Sequence, residues 1–372
     1  MKAHFCNIII TETEFFPTKG KSIKMTQNIL KTAVIGLGRI AWSDHLPALL
    51  RHPEKFQVTA VVDPISDRCR DTCAKFHVPA GYTSLEELLA HQTPDLVIVA
   101  SPTVYHAQHT IEALEHGCHV FCDKPVAMSL QEAHQMDETA RKQGRKLMIF
   151  QPRRLNSDTM AVRSLMESGI LGKIYQLKLY VGNYSRRNDW QAFRKNGGGM
   201  LRNYGAHYVD QFLCLLHEKL RLLTCATDRI ASLGDADDVV KMLLCSESGI
   251  LLDLDINQAS ALQPYRWCIY GKYGTAMVRG TANDWEIRRY DPAELKPVSA
   301  DERMAAQGRE YPSSDIPFRT ETFRPEAPAL CPIDGHLLNL HDWIEGKAEP
   351  LVPFHETLEQ MRIIEECIHL TR

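Results

Sequence analysis

No apolar run in this sequence approaches the ~18–20 residues that a helix needs to cross a membrane, so no membrane partner is expected. Basic charge is not in excess either. Forty-three Lys and Arg stand against 46 Asp and Glu, a net charge of -3. That leaves no basic face for a phosphate backbone and argues against nucleic acid as a partner. Paired cysteines of the C-x-x-C kind are missing; the eleven cysteines are scattered and odd in number. One cluster, His116, Cys118, His119 and Cys122 in EHGCHVFC, resembles a zinc set at first sight. Cys118 and His119 would point to opposite sides of a strand, however, and no second ligand pair lies nearby. Structural cysteines in a reducing compartment, and no metal, are the expectation. Near the start, the apolar piece 5–10 is too short for a signal peptide and no small-residue cleavage site follows it. Residues 1–30 therefore read as a poorly ordered extension, with Met25 a second candidate start, and the expected location is cytoplasmic.

What is present is an ordinary globular composition, 44% hydrophobic and 24% charged, in a chain long enough for two cores. Residues 31–150 alternate between short apolar runs and helical periodicity. TAVIGL, FQVTAVVD, DLVIVAS, HVFCD and KLMIF read as buried strands, with helices between them. Ser84 with Glu87, and Ser129 with Glu132, are spaced as capping boxes that open two of those helices. Strands without polar alternation, each followed by a helix, predict a parallel sheet covered on both faces. After Phe150 the pattern changes. KIYQLKLYVGNYS alternates as a half-buried strand does, DVVKMLLCSESGILLDLDINQ reads as two strands joined by a turn, and YRWCIYGKYGTAMVRG as a hairpin. The fold class is thus α/β: a doubly wound parallel sheet over 31–150, then an α+β domain over 151–372 on an open, mostly antiparallel sheet. Residues 292–333 show no clear periodicity and read as a long excursion before two closing helices.

VIGLGRIA places Gly36-x-Gly38-x-x-Ala41 between the first strand and the first helix, the context in which this pattern binds a dinucleotide. Gly36 serves the tight turn, Gly38 the approach of backbone to pyrophosphate, and Ala41 the close packing of helix on sheet; the helix N-terminus then faces the phosphates. Asp63, 25 residues beyond Gly38 at the end of the second strand, can accept both hydroxyls of a ribose and would repel a 2′-phosphate. NAD is therefore expected over NADP.

Ligands of open α/β sheets bind outside the carboxyl ends of the strands. Two such ends stand out: Ser101-Pro102-Thr103, expected beneath the nicotinamide ribose, and Asp123-Lys124-Pro125, where proline fixes the exit of the backbone and aims the ammonium at the crevice. The second domain supplies GGGMLRNYGAHYVDQFL, a glycine triplet followed by a helix. Asn203, His207, Asp210 and Gln211 are spaced to share one face of it.

These motifs, in this order, resemble the Gfo/Idh/MocA oxidoreductases, a family that includes glucose–fructose oxidoreductase and inositol dehydrogenase. The resemblance spans about residues 32–370 and rests on Gly36-x-Gly38-x-x-Ala41, ASPTVYHA, Asp123-Lys124-Pro125 for the usual Glu-Lys-Pro, the Gly-Gly-Gly…His207 segment and the closing LHDWIEGKAEPLV. It implies an N-terminal Rossmann domain and an open-sheet domain that makes homodimers or homotetramers. Cofactor contacts would fall on Gly36, Gly38, Arg39, Ile40, Asp63, Ser101, Thr103, His106, Asp123 and Lys124. It further implies that Lys124 hydrogen-bonds the reacting oxygen while His207 exchanges its proton, a task suited to an imidazole. A lysine beside a cationic nicotinamide should be easier to deprotonate than a free one. Two departures matter: Asp123 shortens the usual Glu, and Asn203 stands where the family has Asp. An amide cannot stabilise an imidazolium by charge, so His207 is expected to be a weaker base than in aspartate-bearing members.

Arg153, Arg154, Tyr180, Tyr184, Arg186, Trp190 and Tyr204 are the candidate substrate wall. The leading expectation is an NAD-dependent dehydrogenase or reductase acting on a secondary alcohol or ketone of a sugar, polyol or sugar derivative. Two alternatives stand beside it: glycoside cleavage through transient oxidation and elimination, and a non-catalytic ligand-sensing regulator on the same fold.

Overall fold

The computed structural model describes residues 28–280, 283–300, 302 and 315–371. Most of the candidate N-terminal extension, and residues 301 and 303–314 of the excursion, lie outside the described residues. Six strands make the first sheet: β1 (Leu30–Ile35), β2 (Phe56–Val62), β3 (Gly81–Tyr82), β4 (Leu96–Val99), β5 (His119–Asp123) and β6 (Leu147–Phe150). Every pair is parallel and the order is β3-β2-β1-β4-β5-β6. Between them run α1 (Leu46–Arg51), α2 (Ser66–Phe76), α3 (Leu85–His91), α4 (His106–Glu115) and α5 (Leu130–Lys142). Successive side chains of β4 enter opposite layers: Leu96 and Ile98 join one apolar cluster, Val97 and Val99 the other. Burial on both faces explains why these strands carry no polar alternation.

Both expected capping boxes form. Ser84 accepts from the Glu87 N–H (3.1 Å), and Glu87 accepts from the Thr83 N–H (2.8 Å). Ser129 accepts from the Glu132 N–H (3.2 Å), and Glu132 from the Met128 N–H (2.8 Å). In each case the glutamate reaches back to the residue before the cap, which fixes the direction of chain entry.

The second sheet has eight strands. They are β7 (Ile174–Gly182), β8 (Leu220–Asp228), β9 (Val239–Ser246), β10 (Leu251–Asn257), β11 (Trp267–Gly271), β12 (Gly274–Val278), β13 (Trp285–Arg289) and β14 (Arg319–Phe323). The order is β14-β13-β12-β11-β7-β10-β9-β8, antiparallel except for β7 with β10. The excursion is not wholly irregular, since β14 lies inside it and pairs with β13. Its strand character is supplied by that neighbour, because Arg319-Thr-Glu-Thr-Phe323 has little apolar periodicity of its own.

Helices α6 (Ser157–Glu167) and α7 (Ala206–Leu216) pack on the second sheet. The last two, α8 (Pro332–Ile344) and α9 (Phe354–Leu370), do not belong to it alone. Ile333, Leu337 and Leu340 of α8 enter a cluster of the first sheet. In α9, Met361 joins that sheet's other layer while Ile363, Ile364 and Cys367 join the core of the second. Helix α8 thus bridges a division at 150/151, covering the first sheet while also packing on residues 152–155, where Gly335 meets Leu155. Among the described residues no helix is long and apolar enough to cross a membrane.

Candidate active site

The site begins where β1, β4 and β5 end. Gly36 has φ +86, and a Cβ there would sit 2.4 Å from the Ser101 backbone nitrogen, so the β1 turn presses directly on the β4 loop. A Cβ on Gly38 would meet nothing within 4 Å. That open space beside the N-terminus of a helix is what a pyrophosphate needs, and the residues present fit a dinucleotide on this ground. Arg39 is exposed and Ile40 partly buried at the mouth of the same turn. Asp63 does start the turn at Pro64, because one oxygen accepts from the Ile65 N–H (3.0 Å). Its other oxygen accepts from the Leu37 N–H (2.9 Å) inside the glycine loop, with Arg68 3.4 Å away.

Beneath this turn, Thr103 is buried and the Ser101 hydroxyl lies 3.0 Å from His109 Nδ1. Burial, aided by the neighbouring His106, pushes His109 down to about 4. His106 is buried between two carbonyls, Ser101 O at 2.7 Å and Pro125 O at 2.8 Å, so it ties the β4 and β5 loops together. A neutral ring donates to only one of them. Neither nitrogen is left for a ligand.

Lys124 follows β5 and is joined to Pro125 by a cis peptide. Its Nζ donates to Asn203 Oδ1 (2.5 Å) and lies 3.3 Å from the Asn203 carbonyl oxygen. The first domain's ammonium and the second domain's helix thus meet. Burial pushes Lys124 down to about 8; Asp123 opposes this, while Arg153, Arg187 and Arg39 add to it. Asp123 in turn accepts from His45 Nε2 (3.0 Å), a buried ring wedged between Phe121 and Phe150. His45 closes a π-helical turn, Ala41–His45, just before α1.

The segment Leu201–Gly205 before α7 is also a π-turn, and it is capped by Asp237, which accepts from the Leu201 N–H (2.7 Å). The glycine triplet serves this cap. A Cβ on Gly199 (φ +104) would sit 2.3 Å from Asp237 Oδ1, so the close approach is to protein rather than to ligand. Asn203 Nδ2 donates to Gln191 Oε1 (3.0 Å), which fixes its oxygen toward Lys124. His207, on α7, is buried, and its Nδ1 has no partner. Burial, with the charges of Lys124 and Arg153, holds its pKa well below the ordinary value of 6.5.

The expected four-residue polar face divides here. Asp210 accepts two bonds from Arg154 (2.9 and 2.6 Å), and Gln211 donates to Thr159 Oγ1 (2.6 Å). These two anchor α7 on the side away from Lys124. The wider π-turn upstream changes the phase that a uniform 3.6-residue period assumes.

Beyond Arg153 opens a cavity of about 380 Å³, lined by Arg153, Tyr204, Tyr208, Arg266 and Trp285 among others. Two of the expected wall residues, Arg153 and Tyr204, are on it. Arg154 is not; it is fully buried between Asp210 and Glu356, whose Oε2 lies 2.7 Å away. Tyr180 packs against Tyr265, while Tyr184 and Arg186 are exposed. Trp190 is exposed beside Gln191. Sequence reasoning missed Gln191, Arg187, Tyr208, Arg266 and His45. Arg187, Gln191 and Tyr208 each adjoin a nominated residue, Arg186, Trp190 and His207, whereas Arg266 and His45 carried no signal of that kind. Of the histidine and cysteine cluster at 116–122, His119 Nδ1 accepts from the Lys146 N–H (2.9 Å), and Cys118 and Cys122 are buried.

Residues 30–151 match the family model described as "Oxidoreductase family, NAD-binding Rossmann fold", and residues 159–277 the model described as "GFO/IDH/MocA C-terminal domain". The chain is 32% identical to D-glucoside 3-dehydrogenase of Escherichia coli over 52% of this chain and 55% of that protein. It is 27% identical to 2,7-anhydro-N-acetylneuraminate hydratase of Mediterraneibacter gnavus over 56% of each. The chain spans about half the length of the first curated relatives it matches. Its fold is that of an NAD-binding protein from Listeria innocua, with TM-score 0.78, 24% identity, and 92% and 95% of the two chains covered.

Proposed function

The chain belongs to the Gfo/Idh/MocA oxidoreductase family, and on that premise we propose that it moves hydride between NAD and a secondary alcohol or ketone of a sugar, polyol or sugar derivative. One observation carries the reading. Lys124 of the first domain is bonded at 2.5 Å to Asn203 of the second, one helical turn before a buried His207 whose Nδ1 is unpartnered. The sugar class is supported by the relative named D-glucoside 3-dehydrogenase.

The turn Gly36–Ile40, with Asp63, Ser101 and Thr103, would hold the dinucleotide. When bound, NAD supplies a hydride acceptor at its nicotinamide ring. The protein's own part is proton handling. With its pKa well below 6.5, His207 is a neutral imidazole at pH 7 and can take the hydroxyl proton. Lys124, at about 8, is mostly an ammonium at that pH and donates to the reacting oxygen as negative charge develops. In the reverse direction hydride returns to the carbonyl carbon and His207 gives the one proton back to the oxygen, while Lys124 keeps its own proton throughout. Activity should then fall at acid pH as His207 protonates and fall above about 8 as Lys124 loses its proton. Asp63 favours NAD over NADP by repulsion of a 2′-phosphate, which Arg68 only partly offsets; the ratio of the two dissociation constants measures it.

The test is to incubate protein and NAD with inositols, aldoses and glycosides while following reduced-nicotinamide absorbance and product release together. Lys124→Ala should lower kcat/KM by roughly 10²–10⁴-fold and leave NAD affinity largely intact. Activity that survives the change would remove the lysine from the mechanism. Transient oxidation with elimination is a second reading, favoured by the relative named as a hydratase; it requires product without net reduced cofactor. The outer face of the second sheet, where Lys241 bridges Asp253 and Asp255, is the proposed subunit contact, and light scattering reports on it.

A further inference from the structure

Tyr208 lies between two guanidinium groups, Arg153 at 4.9 Å and Arg266 at 5.3 Å from its ring centroid. The ring is fully buried and its hydroxyl faces the Arg266 guanidinium without a hydrogen bond of good geometry, while the Nε of Arg153 is buried and unpartnered. Arg153 makes no ion pair with any described carboxylate. Two like charges held on one ring in a part-buried site repel each other, and the protein supplies one acid against them: Asp158, 3.4 Å from Arg266 and also an acceptor for Trp267 Nε1 (3.2 Å). All four groups line the 380 Å³ cavity, and no other described lining residue is charged. Two guanidiniums against one carboxylate leave a single positive charge facing unused donors. A monoanion with planar oxygens satisfies that arrangement, whereas a dianion would overfill it.

We infer that the substrate carries a carboxylate, as a sugar acid does, and that Arg153, with Arg266 and the Tyr208 hydroxyl, holds it so that a hydroxyl of the same molecule reaches Lys124 and His207. This rests on the hydride-transfer reading for the orientation and not for the binding. Arg153 is the link, because its charge acts on both Lys124 and His207 while its side chain lines the cavity.

The experiment is isothermal titration of the full chain, with NAD present, by hexuronates, their parent hexoses and hexose 6-phosphates. The acids should bind at least about tenfold more tightly than the neutral sugars, and added salt should weaken them. In Arg153→Gln that preference should disappear. Parent hexoses bound as well as their acids, phosphates bound more tightly than the acids, or no acid bound at all would each overturn the inference. The comparison of ligands on the unmodified chain decides it even where the variant fails to fold. Acids that bind without reducing NAD would remove hydride transfer and leave this site standing. Oxidation of neutral sugars in preference to their acids would do the reverse.

Discussion

Asn203 presents an amide oxygen to Lys124 at 2.5 Å, and that choice of side chain governs the charge of the crevice. Its side-chain bonds among the described residues are to the lysine and to Gln191. Replacing Asn203 by Asp would put a carboxylate against the ammonium, favouring the protonated lysine. The alkaline limb of the rate profile, set near 8 by Lys124, should then move up by about one pH unit or more. Asp123 already raises the lysine's pKa, so Asp123→Asn should move the same limb down. The pH dependence of kcat/KM reads both, and limbs that stay in place would detach Lys124 from them. The departure from the family's aspartate was visible in the sequence. Which partner it would affect was not, because that depends on the rotamer Gln191 imposes.

At the scale of elements, two turns position the chemistry. Gly36→Ala would force a Cβ into the Ser101 backbone at φ +86, a strain of order 1–3 kcal/mol. The β1 and β4 loops should separate, and NAD affinity should fall by at least tenfold in a direct titration. Helix α7 is held from behind by Arg154. Burial works against that guanidinium, but Asp210 and Glu356 more than offset it and keep its pKa raised. Arg154→Met would leave Asp210 buried without a counter-charge and Glu356 with His217 alone (3.1 Å), a loss of about 3–5 kcal/mol visible in the urea midpoint. The capping boxes, the buried parallel strands and the glycine turn were legible because each is a local pattern with a local cause. Strand β14 and the two π-turns were not: pairing with β13 makes the one, and tertiary packing of the helices makes the others.

Across the whole molecule, the last forty residues hold the two sheets in register. Helix α8 covers the first sheet, with Arg51 paired to Asp334 (2.8 Å) and Lys55 to Asp342 (2.9 Å). Helix α9 sends side chains into both cores, and its Gln360 donates to the Ala206 carbonyl beside His207. A fragment ending at residue 155 would expose the surface that Ile333, Leu337 and Leu340 cover, each worth about 1.5–3 kcal/mol of burial. Such a fragment should be aggregation-prone and should bind a hydrophobic dye; adding residues 316–372 as a second chain should restore solubility. A soluble, NAD-binding fragment would show that α8 is dispensable.

The sequence by itself determined the buried parallel strands and their helices over 31–150, the dinucleotide turn, and, through the motifs of the family it resembles, the lysine and histidine on which the proposal rests. Each of these follows from periodicity or from a motif whose spacing is local in the chain. Only the tertiary structure decided that Asn203 meets Lys124, that Arg154 supports α7 instead of lining the cavity, and that Arg153 and Arg266 share Tyr208. Those are contacts between residues 50 or more positions apart or on opposite domains. Side-chain identity leaves their partners open until the two sheets are docked.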